Sequence, residues 1–368
     1  MKNEKNRYYF FVGTIAELIK VIPVIKKFKD NSVPFKIIST GQNIIQTSDT
    51  LKLASNPEID IILSNSLIKQ SALGLVIWWF KTFFIGTYIL KKEFLKNKNN
   101  YIIVHGDTVS TVMGALIGKI YKVKVVHIES GLRSFNLLNP FPEEIDRIIV
   151  SSLTDIHFCP NEWALINLKS KNGIKINTKY NTLVDSLHLA LSHSDTPSFA
   201  KKLGSKKYFM FVMHRQENLA RASLVKSIIS EIVEVSKTTH CVFVMHDLTK
   251  ETLKNINILN SLEKNKNITL VGRQPYIHFM KLMSNCEFII TDGGSNQEES
   301  SYFGVPCLLL RTHTERIEGL NKNVVLSRND PIIIHDFVLN YKKYRRKSVE
   351  AKNSPSTKIF TYLQNNNL

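Results

Sequence analysis

No two of the four cysteines, Cys159, Cys241, Cys286 and Cys307, form a CxxC pair, and most of their neighbours are apolar. They read as reduced core thiols of a cytosolic protein. Acidic residues are the scarce charge, 31 against 49 lysines and arginines, for a formal net charge of +18. The basic residues are not gathered into a stripe: Lys96 to Asn100 and Lys264 to Asn267 alternate lysine with asparagine, as solvated loops do. Without clustering, no nucleic-acid partner is expected, and an anionic small molecule or a membrane surface suits the charge better. The lead before Tyr8–Val12 is short and charged, with no apolar segment ending in a small-residue cleavage site, so a cytoplasmic rather than secreted protein is expected. No internal repeat is visible beyond a general alternation of strands and helices.

What is present is enough for a large core. At 368 residues the chain exceeds the size over which one hydrophobic core keeps growing, so two domains are expected. Hydrophobic content of 43%, with 10% aromatic and 22% charged residues, is ordinary for a globular protein and excludes global disorder. One apolar run stands out: residues 72–90, ALGLVIWWFKTFFIGTYIL, carry only Lys81 as a charge. Lying between two predicted strands, the run is expected to be a core or partly exposed amphipathic helix; contact with a membrane surface, or a span, stays open.

Short apolar runs at Tyr8–Val12, Phe35–Ser39, Ile59–Leu63, Tyr101–Val104, Lys124–Ile128 and Ile156–Phe158 alternate with segments of helical period. That pattern predicts a parallel sheet with crossover helices. It restarts at Tyr208–Met213, Cys241–Met245, Ile268–Val271, Phe288–Thr291, Cys307–Leu310 and Val324–Leu326, after a polar stretch from about Ser192 to Lys207. The expected fold is α/β: two Rossmann-like doubly wound domains, residues 1–190 and 191–345, with a C-terminal helix in 346–368 packing back on the first.

In doubly wound sheets ligands bind beyond the carboxyl ends of the strands, so polar residues directly after a strand are the candidates. Gly13-Thr14 opens a helix whose positive end could receive a phosphate; a plain strand–helix turn is the alternative. His105-Gly106-Asp107-Thr108 closes another strand, with Thr108 as a helix N-cap and Asp107 as either a cap or a cleft carboxylate. After Glu129-Ser130-Gly131-Leu132-Arg133, two prolines, Pro140 and Pro142, lead rigidly to Glu143 at a helix start, so Glu129 and Glu143 could converge on one ligand. In the second half, His214 follows one strand and Asp292-Gly293-Gly294-Ser295 another. Those glycines let backbone amides approach a diphosphate, while Ser295 and Glu298 have the spacing of a capping box.

The runs HIESGLRSFNLLNPFPEEIDR, HRQEN and TDGGSNQEESSYFGVPCLLLRTHTERIE strongly resemble, in order and spacing, the motifs of UDP-N-acetylglucosamine 2-epimerases, from about Phe11 to the C-terminal helix. The resemblance implies a glycosyltransferase-B-like pair of domains around a UDP-sugar, no metal or redox cofactor, and a homodimer. It implies loss of the C2 hydrogen as UDP leaves, a 2-acetamidoglucal intermediate, and re-addition to give UDP-N-acetylmannosamine; hydrolysing relatives release UDP and free sugar instead. By the same resemblance Asp107, Glu129 and Glu143 are the acid–base groups and His214 meets the departing diphosphate. Lys20, Arg133, Gly293, Gly294, Ser295 and Arg316 line the substrate, Glu299 meets the ribose, and Gln274 with Phe279 falls at the uracil.

Three places depart from the family pattern. Ile15 and Ala16 replace an Arg-Pro pair after Gly-Thr, Asp292-Gly293-Gly294-Ser295 replaces Asp-Ser-Gly-Gly, and the region after Gly41-Gln42 lacks most of the polar residues that hold a second, activating UDP-sugar. Two other functions compete: a UDP-sugar glycosyltransferase, for which residues 72–90 could meet a lipid-linked acceptor, and a non-catalytic nucleotide-sugar sensor. The sensor would have no use for Asp107, Glu129, Glu143 and His214 together.

Overall fold

The computed structural model describes residues 6–65, 72–97, 99–137, 141–199, 203–204, 206–314, 316–350 and 354–365. Lys98, Asn139, Pro140 and part of the C-terminal tail, at 351–353, lie outside the described residues. The chain divides into two compact units, Met1–Leu189 with Ala351–Leu368, and Ala190–Glu350.

Unit 1 is a seven-stranded parallel sheet in the order β3-β2-β1-β4-β5-β6-β7. The strands are β1 (Arg7–Val12), β2 (Phe35–Ser39), β3 (Ile61–Ile62), β4 (Asn100–His105), β5 (Lys124–Ile128), β6 (Ile156–Cys159) and β7 (Ile174–Asn177). β1 and β4 are buried along nearly their whole length, as strands covered on both faces must be, and so read as unbroken apolar runs. The edge strand β7, IKIN in a lysine- and asparagine-rich stretch, carries no such run and has no counterpart among the sequence-predicted strands. Because the order reverses between β1 and β4, the turns after Val12 and His105 meet at the topological switch point, where doubly wound sheets bind ligands.

The longer helices of this unit include α1 (Ile15–Asp30), α2 (Ala72–Phe94), α3 (Val109–Ile120) and α4 (Glu143–Leu153). α2 is the apolar run, and by length and composition it could cross a membrane. Its inner face, with Trp78, Leu90 and Phe94, joins the core of the unit, and Trp79 donates its indole N–H to the Val109 carbonyl at 2.8 Å. The outer face leaves Leu73, Val76, Ile77, Phe80, Phe84 and Tyr88 exposed.

At the chain end the helix Pro355–Asn365 lies on α1. Tyr8 Oη donates to the Leu363 carbonyl at 2.8 Å, Asp185 accepts from the Ser356 amide at 2.8 Å, and the Phe28 and Phe360 rings meet edge to face.

Unit 2 repeats the architecture with six parallel strands in the order β10-β9-β8-β11-β12-β13. These are β8 (Tyr208–Val212), β9 (His240–Val244), β10 (Ile268–Val271), β11 (Ile289–Thr291), β12 (Cys307–Leu309) and β13 (Val324–Leu326). Stacked Phe209 and Phe288, with Phe211 against Phe243, fill one face of the sheet. Its switch point lies between β8 and β11, so the turns after Val212 and Thr291 are the counterparts of those in unit 1.

Candidate active site

The unit 1 turn after β1 is packed too tightly for a side chain at Gly13, where a Cβ would lie 2.1 Å from Ser110 Oγ. The helix end beyond it is already occupied. Thr14 and Glu17 form a reciprocal capping box, and Glu17 Oε2 accepts from the amides of Gly13 at 2.6 Å and Thr14 at 2.8 Å. Its other oxygen accepts from Thr108 and Thr111, at 2.5 and 3.0 Å. Of the two readings open for this turn, the plain strand–helix turn is the one the local hydrogen bonds favour, with a buried carboxylate on the amides a phosphate would need.

Beyond the ends of β4 and β5 the structure brings two of the sequence-selected carboxylates, Asp107 and Glu129, to one cavity. Arg147, on α4, donates from Nε and Nη2 to Asp107 Oδ2 at 2.8 and 2.5 Å. Asp107 is therefore an ion-pair partner rather than a cap; Thr108 alone caps α3. Glu129 sits directly after β5 at φ +64°, a left-handed conformation that non-glycine residues adopt only when their surroundings impose it. Here the surroundings are explicit: Lys20 Nζ lies 2.5 Å from Glu129 Oε2, the Asn181 amide donates to the same oxygen, and His105 Nε2 is 3.5 Å away.

The carboxyl groups at the start of α4 have distinct environments. Glu144 is fully buried, and burial alone would raise its pKa. The Ser134 amide and the Arg133 guanidinium, which bonds Oε1 at 2.5 Å, outweigh burial and hold it below the usual range. Arg133, expected to contact substrate, gives its Nε to Glu144 and lines the cavity beside Asp107 and Glu129. Glu143 is half-buried, and its Oε2 accepts no hydrogen bond from the described residues. Asp146, one helical turn on from Glu143, is 6% exposed, and its Oδ2 is likewise without a partner among them.

In unit 2 the corresponding helix α5 (Gly294–Phe303) begins without any side-chain cap, its N-cap being Gly293. Ser295 lies inside the helix, so the capping box with Glu298 does not form; Glu298 instead pairs with Arg316 at 2.5 Å. An uncapped N-terminus with glycines at its first two positions offers backbone N–H groups and a positive dipole end, as anion sites do. A Cβ on Gly293 would come 2.6 Å from Asn296 Oδ1 and 3.3 Å from His214 Cε1, which places His214 beside this turn.

His214 is held by a residue without an assigned role. Asp292, fully buried at the end of β11, accepts from the amides of His214 and Arg215 and from the Asn218 side chain, and its Oδ1 is 3.1 Å from His214 Nδ1. Burial pushes the Asp292 carboxyl up, but these donors prevail and keep it below the ordinary value. The His246 ring stacks on His214, with centroids 4.7 Å apart. Glu299 accepts from Asn296 at 3.0 Å, and Gln297 ties α5 to the carbonyls of Arg316 and Glu318. Gln274, bonded to the Gly272 carbonyl, and half-buried Phe279 lie about the start of the helix Tyr276–Asn285.

Arg147 and Asp292 both fall inside the quoted motifs; their signal was an arginine four residues after Glu143 and an aspartate ending a strand. Asn181 had no signal, because it comes from a polar connection distant in sequence from Glu129.

A parallel sheet with carboxylates gathered beyond β4 and β5, and a second with an uncapped helix and a carboxylate-held histidine at its switch point, suit an α/β enzyme of the nucleotide-sugar class. Residues 26–355 match the family described as UDP-N-acetylglucosamine 2-epimerase. The UDP-N-acetylglucosamine 2-epimerase of Methanocaldococcus jannaschii is 30% identical over 350 residues, 90% of this chain and 92% of that one. Its solved structure superposes with a TM-score of 0.79 at 27% identity, covering 98% of this chain and 99% of that chain. The UDP-GlcNAc 2-epimerase of Neisseria meningitidis, solved bound to UDP-GlcNAc, gives 0.76 at 27% identity over 98% of this chain and all of its own. The chain belongs to the UDP-N-acetylglucosamine 2-epimerase family.

Proposed function

We propose that the protein inverts C2 of a UDP-2-acetamido sugar, converting UDP-GlcNAc to UDP-ManNAc or a close analogue, by eliminating UDP and re-adding it through a glycal. The observation that carries this is the grouping of Asp107 and Glu129 around Arg147 and Lys20 in unit 1, with Glu143 at the start of the helix that carries Arg147. Inversion through elimination needs one group to take the C2 proton and another to return it from the opposite face, and positioned carboxylates perform such transfers. The nucleotide is assigned to unit 2. Amides at the start of α5 would receive the diphosphate and His214, its Nδ1 turned to Asp292, would present its other nitrogen to charge developing on the leaving group. Glu299 is assigned to the ribose, Gln274 and Phe279 to the uracil, and Arg316 to the phosphates. No cofactor is needed for this chemistry.

Following the sugar protons by NMR during incubation with UDP-GlcNAc tests the outcome. Appearance of UDP-ManNAc supports the non-hydrolysing reading, UDP with free N-acetylmannosamine the hydrolysing one, and neither product leaves the transferase reading.

The protein is further proposed to act in the cytoplasm, where its four buried free thiols stay reduced, and as a homodimer. Exposed apolar side chains in register along α2, from Leu73 to Tyr88, support an interface there with a second copy. Light scattering of Phe80→Glu/Phe84→Glu against the native chain tests it: a shift from dimer to monomer is expected. An unchanged mass together with lost binding to anionic vesicles would favour a membrane contact instead.

A further inference from the structure

The acid–base set read from the sequence leaves out the most buried carboxyl of α4 that lacks a full set of hydrogen bonds. Asp146 is 6% exposed, and its Oδ2 has no hydrogen-bond partner among the described residues. A buried polar atom without a partner costs about 1–3 kcal/mol, so its retention calls for a reason. Glu144, its neighbour two positions earlier, shows the contrasting, structural case: it is equally buried but saturated by Arg133, Ser134 and Phe135.

The groups that act on Asp146 are few. From its own helix these are Glu143 and Arg147; from the turn after β4 it is Asp107. Arg147, the one cation among them, spends its fork on Asp107, with a longer contact to Glu144. α3, packed alongside, brings no charge to Asp146, since its Lys119 pairs with Asp155 at 2.6 Å. On β5, His127 bonds the Gly106 carbonyl and is pushed down to about 3 by burial, so it stays neutral. Glu129, beyond it, is occupied by Lys20 and Asn181. Asp146 therefore faces two carboxylates assigned to C2 chemistry with no cation of its own among the described residues.

We propose that Asp146 is a positioning residue of the proton-transfer cluster: its buried carboxyl is the partner of Asp107 and Glu143, and its charge sets theirs. The inference rests on the functional reading above. Burial, reinforced by the like charges of Asp107 and Glu143, raises its pKa to about 7. Below about pH 7 Asp146 is mostly neutral while Arg147 compensates Asp107, so the cluster then holds one fewer negative charge than its carboxyl count. During inversion one carboxylate takes the C2 proton from one face and a second, protonated group delivers its own proton to the other, so the pair together gains and loses one proton. Asp146 takes no part in either transfer and, below about pH 7, keeps its own proton, so charge and proton number balance over the two steps. Once Asp146 ionises, an extra negative charge faces both partners and shifts their proton affinities upward, which couples turnover to pH near 7.

Two readouts test this. In protein labelled with 13C at aspartate carboxyls, one resonance should titrate near pH 7 and vanish in Asp146→Asn; no aspartate titrating between pH 6 and 8 overturns the proposal. The second is the pH profile of kcat. The native enzyme should show an inflection near pH 7, and the nearly isosteric Asp146→Asn should lose it while retaining UDP affinity and at least a measurable rate at pH 6. An inflection identical in both proteins, or an equal loss of rate at every pH, makes Asp146 structural. If the native protein performs no C2 chemistry at all, the functional reading fails, and the carboxyl titration still decides whether Asp146 holds its proton.

Discussion

Arg147 places two N–H groups on one oxygen of Asp107, at 2.8 and 2.5 Å, and reaches Glu144 at 3.4 Å with the remaining nitrogen. A single side chain thereby fixes a carboxylate after β4 to the first turns of α4, the two elements that carry Asp107, Glu143 and Asp146.

Replacing this fork with a point charge should separate position from charge. Arg147→Lys keeps one cation but cannot bond Asp107 twice, and bidentate geometry is what distinguishes the two side chains. The expected result is a fall in kcat of roughly 10- to 100-fold, the cost of a misplaced acid–base group, with UDP affinity unchanged. Near-native kcat would show that Asp107 does not depend on Arg147 for its placement.

The nucleotide assignment predicts a different phenotype at the start of α5. Gly293→Ala adds a methyl 2.6 Å from Asn296 Oδ1 at a position whose backbone angles any residue can adopt, so folding should survive while the turn shifts. His214→Ala removes a donor assigned to the diphosphate. Both should weaken UDP binding by roughly tenfold or more, about 1.4 kcal/mol, in calorimetry. Native affinity in both variants would remove the diphosphate from this turn.

Erosion of the polar residues after Gly41-Gln42 predicts initial rates that follow a hyperbola in UDP-sugar concentration. Coupling between an activator site and catalysis is typically 1–3 kcal/mol, about 5- to 150-fold in affinity, and would be visible as sigmoidality. A Hill coefficient clearly above one would contradict this.

Stability should carry the signature of Asp146. With its pKa raised to about 7, the folded protein keeps a proton that the unfolded chain loses above about pH 4. This group therefore lowers stability as pH rises from about 4 to 7, by up to roughly 4 kcal/mol at 1.36 kcal/mol per pH unit. His127, pushed down to about 3, and His157, to about 4, are kept neutral by burial; below about pH 6.5 the unfolded chain binds protons they refuse, so they lower stability as pH falls. The two slopes oppose each other in the native protein. The Asp146→Asn minus native difference isolates the first and should grow in favour of the variant between pH 4 and 7 in urea unfolding. Parallel curves would mean that Asp146 is ionised when folded.

Most of the architecture was legible because buried parallel strands must be continuously apolar, and twelve such runs were visible; β7 escaped because an edge strand need not be. Asp107, Glu129, Glu143 and His214 were legible as polar residues directly after strands or at a helix start. What was hidden depends on partners distant in sequence. That Thr14 and Glu17 cap α1 reciprocally, and that Glu17 also reaches Thr108, comes out only with the switch-point packing of β1 beside β4. Asn181 and Lys20 meet Glu129 only through the fold, and Asp146 looks like an ordinary first-turn acid until its burial is known.

Whether the unit 1 carboxylates move the C2 proton is tested most directly by deuterium incorporation at C2 when UDP-GlcNAc is incubated with the protein in D₂O. The native protein should exchange that hydrogen, and Glu129→Gln, which preserves shape but not a titrating carboxylate, should lose exchange by roughly 100-fold or more while still binding UDP. Absence of both exchange and UDP release in the native protein, across several UDP-2-acetamido sugars, would contradict that role.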